Sequence, residues 1–268
     1  IMRYILLSLL VGITLFSKGG ELNKVRKAAD QGESNAQYKL GTMYYMGNEV
    51  KEDKQLALYW IKKSAEQGNA DAQYALGLMY MAGVAVEKDK NQAIFWIEKS
   101  AKQGNSNAQF DLAKLYDNGN TTKSEKSEVK NTKELYAKSA EQGNTEAQIK
   151  LGEMYFDGDG VEINKIEAFK WFKKAAEQGD INAQYTIGEM LYNGDGVLLD
   201  KKAAIYWYTK SANQGNNEAQ YNLGYMFFKG DGMPVNKKKA AYWIRKAFDN
   251  GNPRAKDLWE DLELWQYE

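Results

Sequence analysis

The chain contains no cysteine, no histidine and only 2 prolines in 268 residues. Without cysteine there is no disulfide, no thiol nucleophile and no sulfur-based metal site. Without histidine, Ser-His-Asp and Cys-His triads are excluded, together with almost every usual zinc or copper site. Neither sign of charge is in surplus, with 36 basic against 36 acidic side chains. Nothing therefore favours nucleic acid, whose affinity rests on Lys and Arg neutralising phosphates. What the chain does have is 43% hydrophobic and 13% aromatic residues, enough to bury a real core and too many for disorder. No catalytic residue, metal site or cofactor is expected.

The one long apolar run is residues 4–16, which follow Arg3. At 13 residues it is too short to cross a bilayer comfortably, which takes about 20. Ser17-Lys18-Gly19 places small residues at the −3 and −1 positions of a cleavage after Gly19, the layout of a secretory signal peptide over 1–19. A retained anchor or a buried helix are the alternatives. No cysteine follows the run, so lipoprotein anchoring is excluded. The expectation is a periplasmic or secreted protein with no membrane contact beyond its signal, and 20–268 as a single domain.

A repeat organises that domain. Gln-Gly recurs with its glycine at Gly32, Gly68, Gly104, Gly143, Gly179 and Gly215, and Asn250-Gly251 closes the series; the steps are 36, 36, 39, 36, 36 and 36 residues. Ala-Gln recurs in register from Ala36 to Ala219, and Trp60, Trp96, Trp171, Trp207 and Trp243 share another register, in which Leu135 fills the third unit's slot. The units run 33–68, 69–104, 105–143, 144–179, 180–215 and 216–251, after a half-repeat at 21–32 and before a capping helix at 252–268.

Each unit reads as two helices, A and B. In 69–104, Asn69 is a natural N-cap, Ala72, Leu76, Met79 and Tyr80 follow at helical spacing, and Gly83 ends helix A because glycine adopts the left-handed conformation cheaply. Asp89 caps helix B, whose buried stripe is Ala93, Trp96 and Ala101, and Gly104 ends it. Gly77 and Ala101 stand where bulk would separate helices packed about 8–10 Å apart. No unit buries its stripe alone, so stability comes from stacking neighbours. Truncating Trp171 is expected to cost about 3–5 kcal/mol, as core aromatics do. At the carboxyl end Trp259, Leu262 and Trp265 continue an apolar face among acids.

At Ala147-Gln148, Leu151-Gly152, Tyr155, Gly158-Asp159-Gly160-Val161, Ala168, Trp171 and Ala175-Ala176-Glu177-Gln178-Gly179 the chain resembles the Sel-one-like repeat (SLR) family, a 36-residue relative of the tetratricopeptide repeat. The resemblance covers roughly residues 21–256. It implies an all-α fold, a right-handed superhelix of helix pairs with helices A lining the inner face. It further implies an adaptor in protein complexes, in some members an immunity partner of a secreted toxin. One cysteine-rich branch is associated with binding or hydrolysing penicillins, and this chain lacks its cysteines.

What is repeated six times is scaffold, so binding should reside where units differ. On helix A the positions of Lys39 and Thr42 vary, becoming Ala75 and Leu78, Asp111 and Lys114, Lys150 and Glu153, Thr186 and Glu189, Asn222 and Tyr225. Beside them runs an apolar row of Tyr45, Met81, Phe156, Tyr192 and Phe228, broken by Asp117. Aromatic residues among single charges suit a protein ligand. The candidate binding residues are Lys114, Lys150, Glu153, Phe156, Glu189, Tyr192, Asn222, Tyr225 and Phe228. The alternative is that the row packs against the next unit and the stripe is merely solvated.

The third unit departs most, with Ala113 for glycine, Thr132 for alanine, Leu135 for tryptophan and a polar loop over 120–131. That loop is either a contact element or a neutral insertion, which costs little entropy. Asp157-Gly158-Asp159-Gly160 hints at a calcium loop, but an EF-hand needs glycine at its sixth position and glutamate at its twelfth; Glu162 and Ala168 stand there. The glycine loops lack the Lys-Ser/Thr ending of a phosphate cradle. Glu153 and Glu189 could form a carboxylate pair of the hydrolase type or be two surface acids. The leading expectation is a monomeric, non-catalytic scaffold for another protein. The alternatives are a cell-wall or β-lactam hydrolase and a self-associating structural solenoid.

Overall fold

A computed structural model describes residues 20–117 and 125–267. The expected signal at 1–19 and part of the 120–131 loop lie outside the described residues. Among those described there are fourteen α-helices and no strand. The first four are α1 (Gly20–Asp30), α2 (Ser34–Met46), α3 (Lys54–Glu66) and α4 (Ala70–Ala82). Then come α5 (Lys90–Lys102), α6 (Ser106–Asp117), α7 (Glu125–Glu141), α8 (Thr145–Asp157) and α9 (Lys165–Glu177). The remainder are α10 (Ile181–Asn193), α11 (Lys201–Asn213), α12 (Asn217–Lys229), α13 (Lys237–Asp249) and α14 (Pro253–Asp261). The chain falls into two compact units, Ile1–Ser139 and Ala140–Glu268, divided within the third repeat, the one whose step is 39 residues.

The caps form where they were predicted. Asn69, Asn144, Asp180 and Asn216 each accept a backbone N–H three residues on at the start of a helix A. Asp53, Asp89, Asn164, Asp200 and Asn236 do the same for helix B. Glu33 makes no side-chain cap. Each fills one of the donors that a helix start leaves orphaned.

The second member of every Ala-Gln pair is buried. Gln184 donates its amide to the carbonyl of Ala176 at 3.1 Å and accepts from Gln214 at 2.8 Å. Gln73 repeats this with Ala65 (3.1 Å) and Gln103 (2.7 Å). Ser64, Ser100 and Ser211 donate to carbonyls 30 residues earlier, each at 2.7–2.8 Å. The glutamine bonds to Ala65 and Ala176 satisfy carbonyls left open where a helix B ends and tie one repeat to the next, whereas the serine and glutamine–glutamine bonds join helices A and B of one repeat.

The small-residue positions let the two helices of a pair touch. A Cβ on Gly77 would stand 2.7 Å from the Ile97 side chain and 3.0 Å from the Ala93 carbonyl. At Gly188 it would stand 2.7 Å from the Tyr208 ring. The slot facing this glycine, which is Ala113 in the third repeat, holds Ile61, Ile97, Tyr136, Phe172, Tyr208 and Ile244 along the chain, all buried.

Three expectations change. Trp96, Trp207 and Trp243 are buried, but Trp60 and Trp171 are only half-buried, and the Lys174 ammonium lies 3.8 Å above the Trp171 ring. The capping helix expected over 252–268 stops at Asp261; Glu263 turns with a positive φ of 48° and a 3-10 turn follows over Leu264–Tyr267. That turn buries Leu264 and leaves Trp265 half-exposed, so the apolar face passes to Trp259 and Leu264. Thr42, Ala75 and Leu78, expected on an open stripe, are buried, with Ala75 and Leu78 in the core.

Trp207→Ala is therefore expected to cost about 3–5 kcal/mol, as a buried aromatic does. Trp171→Ala should cost clearly less, because part of that ring already meets water. Chemical denaturation of the two variants measures the difference, and equal losses would contradict it.

Candidate functional site

The nine candidate binding residues have different surroundings. Lys114 is exposed in α6, its ammonium 5.1 Å above the Phe110 ring. Lys150 pairs with Asp159 at 3.7 Å, and Glu153 is exposed. Phe156 is half-buried against the core of the second unit, with the Lys165 ammonium 5.0 Å above its ring. Phe228 packs into the end cluster around Ile244 and Trp259. Packing against the neighbouring helices thus accounts for these two.

Glu189, Tyr192, Asn222 and Tyr225 do come together. With Asn193, Tyr208 and Met226 they line a recess of about 150 Å³. Tyr192 and Glu189 lie on α10, Asn222, Tyr225 and Met226 on α12, and Tyr208 reaches in from α11. The local reason is spacing. Glu189 and Tyr192 stand three apart on α10, as do Asn222 and Tyr225 on α12, so each pair shares one helix face.

Bonds hold the recess in shape. The Tyr208 hydroxyl donates to Glu189 Oε1 at 2.6 Å, and the Asn222 amide donates to the same oxygen at 2.9 Å. The Tyr192 hydroxyl donates to Asp231 Oδ2 at 2.7 Å, while the Lys201 ammonium donates to Asp231 Oδ1 at 2.6 Å. Lys201 and Tyr192 together hold the Asp231 carboxyl below its ordinary value. Burial, then the bond to Glu189, pushes the Tyr208 hydroxyl far above the ordinary tyrosine range. Tyr185 is pushed up to about 12 by burial and the Glu189 and Glu218 charges; Tyr192 is pushed up to about 12, first by its bond to Asp231.

Sequence reasoning missed Tyr208 and Met226. The signal was present: tyrosine occupies a slot that is isoleucine in three of the six units, and a hydroxyl in a buried slot needs a partner. It also missed an exposed belt on helices B. Tyr59, Phe95, Tyr206 and Tyr242 are about half exposed, each edge-on to the following tryptophan at 5.0–5.2 Å. Lys63, Lys99, Lys210 and Lys246 lie over both rings of their pair, which leaves that belt with its own cations.

Among the described residues no group of three or more acids is placed to hold a metal, and no helix is long and apolar enough to cross a membrane. Of the two acids weighed as a carboxylate pair or as surface acids, Glu189 accepts two hydrogen bonds.

Capped helix pairs joined by buried amide bonds define a repeat protein of the α-solenoid class. The Sel1 repeat model matches residues 34–69, 70–105, 106–144, 145–180, 181–216 and 217–252. The chain belongs to the Sel1 repeat family. A Sel1 repeat protein from Oxalobacter formigenes is 30% identical with a TM-score of 0.69, over 85% of this chain and 98% of its own. A protective antigen of uropathogenic Escherichia coli strains, displaying an SLR fold, is 33% identical with a TM-score of 0.59 over 87% of this chain. This chain spans 57% of that antigen's length. An immunity protein from Pseudomonas aeruginosa aligns at 24% identity and a TM-score of 0.49, over 78% of this chain and 79% of its own. No match is found among the curated proteins.

The tyrosine shifts set a pH window. A group whose folded value is raised contributes stability that is complete below its unfolded value and lost as pH rises through the folded one. For Tyr185 and Tyr192 the loss runs from about 10 to about 12. Denaturant unfolding across that range should show stability falling with pH. Tyr208→Phe should make the fall shallower, and an unchanged slope would contradict the assignment.

Proposed function

We propose that this chain is a non-catalytic scaffold, exported to the periplasm or beyond, that binds another protein through the helix-A residues of its second unit. The supporting observation is a contrast. The caps, amide bonds and glycine contacts recur along the chain, whereas the recess combines Glu189, Tyr192, Asn222 and Tyr225, of which Asn222 and Tyr225 recur at their positions in no other repeat. Sel1 repeat proteins are generally protein-interaction scaffolds, and tyrosine anchors dominate protein interfaces. Inhibition of an exported effector is the concrete form of this reading, carried by the family resemblance alone. Export rests on residues 1–19, and mass spectrometry of the exported protein should find Gly20 as its first residue.

Pull-down with the mature chain should recover a stable heteromeric complex. Tyr225→Ala should weaken it by about tenfold or more, as loss of an interface anchor does, with the melting temperature nearly unchanged because Tyr225 is 38% exposed. Turnover of nitrocefin or peptidoglycan by the purified protein would overturn the non-catalytic reading.

A further inference from the structure

The recess carries one charge in an otherwise uncharged lining. Tyr208 and Asn222 both donate to Glu189 Oε1, orienting the carboxylate without neutralising it. Among the described residues no lysine or arginine forms an ion pair with Glu189; the nearby Lys201 is engaged by Asp231, and its ammonium lies 5.1 Å above the Tyr192 ring. Two further rings, Tyr192 and Tyr225, and the Met226 thioether line the same space. Nor is the arrangement a property of the repeat. The Glu189 position is Thr42, Leu78, Lys114, Glu153 and Tyr225 elsewhere, and only in this unit does a tyrosine in the helix-B slot meet an acid there.

Such a lining selects its ligand. Aromatic faces attract cations through their quadrupole, and a half-buried carboxylate gains most from an opposite charge that also fills the space beside it. An anion would be repelled, and a neutral group would leave the charge unanswered. At about 150 Å³ the recess falls short of the roughly 300–1,000 Å³ of small-molecule sites, which suits a single side-chain head. We propose that the recess takes the ammonium or guanidinium head of a lysine or arginine presented by the partner protein. Glu189 is its counter-charge, and Tyr192, Tyr225 and Met226 flank its stem. This inference rests on the scaffold reading and names the chemistry that the partner must carry.

The test follows the Asn222 side-chain amide by NMR in the full mature chain. The titrants are acetyl-Gly-Lys-Gly-amide and acetyl-Gly-Arg-Gly-amide, with acetyl-Gly-Leu-Gly-amide and guanidinium chloride as comparisons. The expected result is a saturable shift with a basic peptide, weaker by about tenfold or more in Glu189→Gln, since that variant keeps shape and acceptor and removes only the charge. An equal shift with the leucine peptide, or undiminished binding by Glu189→Gln, overturns the proposal. Guanidinium chloride binding as tightly as the arginine peptide overturns the side-chain source in favour of a free cation. A partner held equally by wild type and Glu189→Gln, with no peptide shift, overturns the recess while the scaffold reading stands. Peptide shifts without any recoverable partner do the reverse.

Discussion

The buried glutamine amide is the interaction on which the repeat depends. A helix that ends inside a packed array leaves carbonyls facing the next helix, where an unmet acceptor is costly. Each Ala-Gln glutamine answers one such carbonyl eight residues back and, in the pairs already described, accepts an amide 30 residues ahead. The carbonyl bond crosses a repeat boundary and so sets the stacking register as well as satisfying the helix end, while the amide bond joins the two helices of one repeat. This explains why the extra residues of the third repeat are tolerated. They lie before Thr132, away from the glutamines, and Gln109 and Gln148 keep their carbonyls at 3.2 and 3.0 Å.

The second constraint is the glycine that admits a large side chain from its partner helix. The contact is close enough that a methyl group would collide, so each of the five pairs that carry the glycine is held by one fitted contact; the third repeat has Ala113 instead. The fit tolerates isoleucine, phenylalanine or tyrosine, and that tolerance opens a route to function. Where the guest is Tyr208, its ring does the work of isoleucine in the core, and its hydroxyl emerges at Glu189 to organise a polar recess. One residue thus serves both the stack and the site, with Gly188 as the condition for each.

Binding in such a scaffold comes from variation laid over constancy. The helix-B aromatic belt is exposed but bears its own lysines, whereas the recess on α10 and α12 holds a carboxylate that lacks a cation among the described residues. Electrostatic incompleteness, more than exposed area, is what favours the second in the proposal of a basic partner side chain.

Much of this was legible in the chain itself. Caps, glycine helix ends and the 36-residue step are local or periodic, decided by side chains acting on their own backbone, so spacing alone determined them. The tryptophan register was also plain, but how deeply each ring sits was not: Trp171 and Trp207 occupy one sequence position and differ in exposure because the neighbours differ. Ala75 and Leu78 looked like an open stripe and are core, since only the packed neighbours decide which face of helix A is covered. Three of the recess residues were named from variation along the array and Tyr192 from the apolar row beside it, yet their meeting with Tyr208 needed three helices brought together. Periodicity determined the frame; tertiary contact decided what lies beneath it, because burial and pairing belong to residues that the sequence keeps apart.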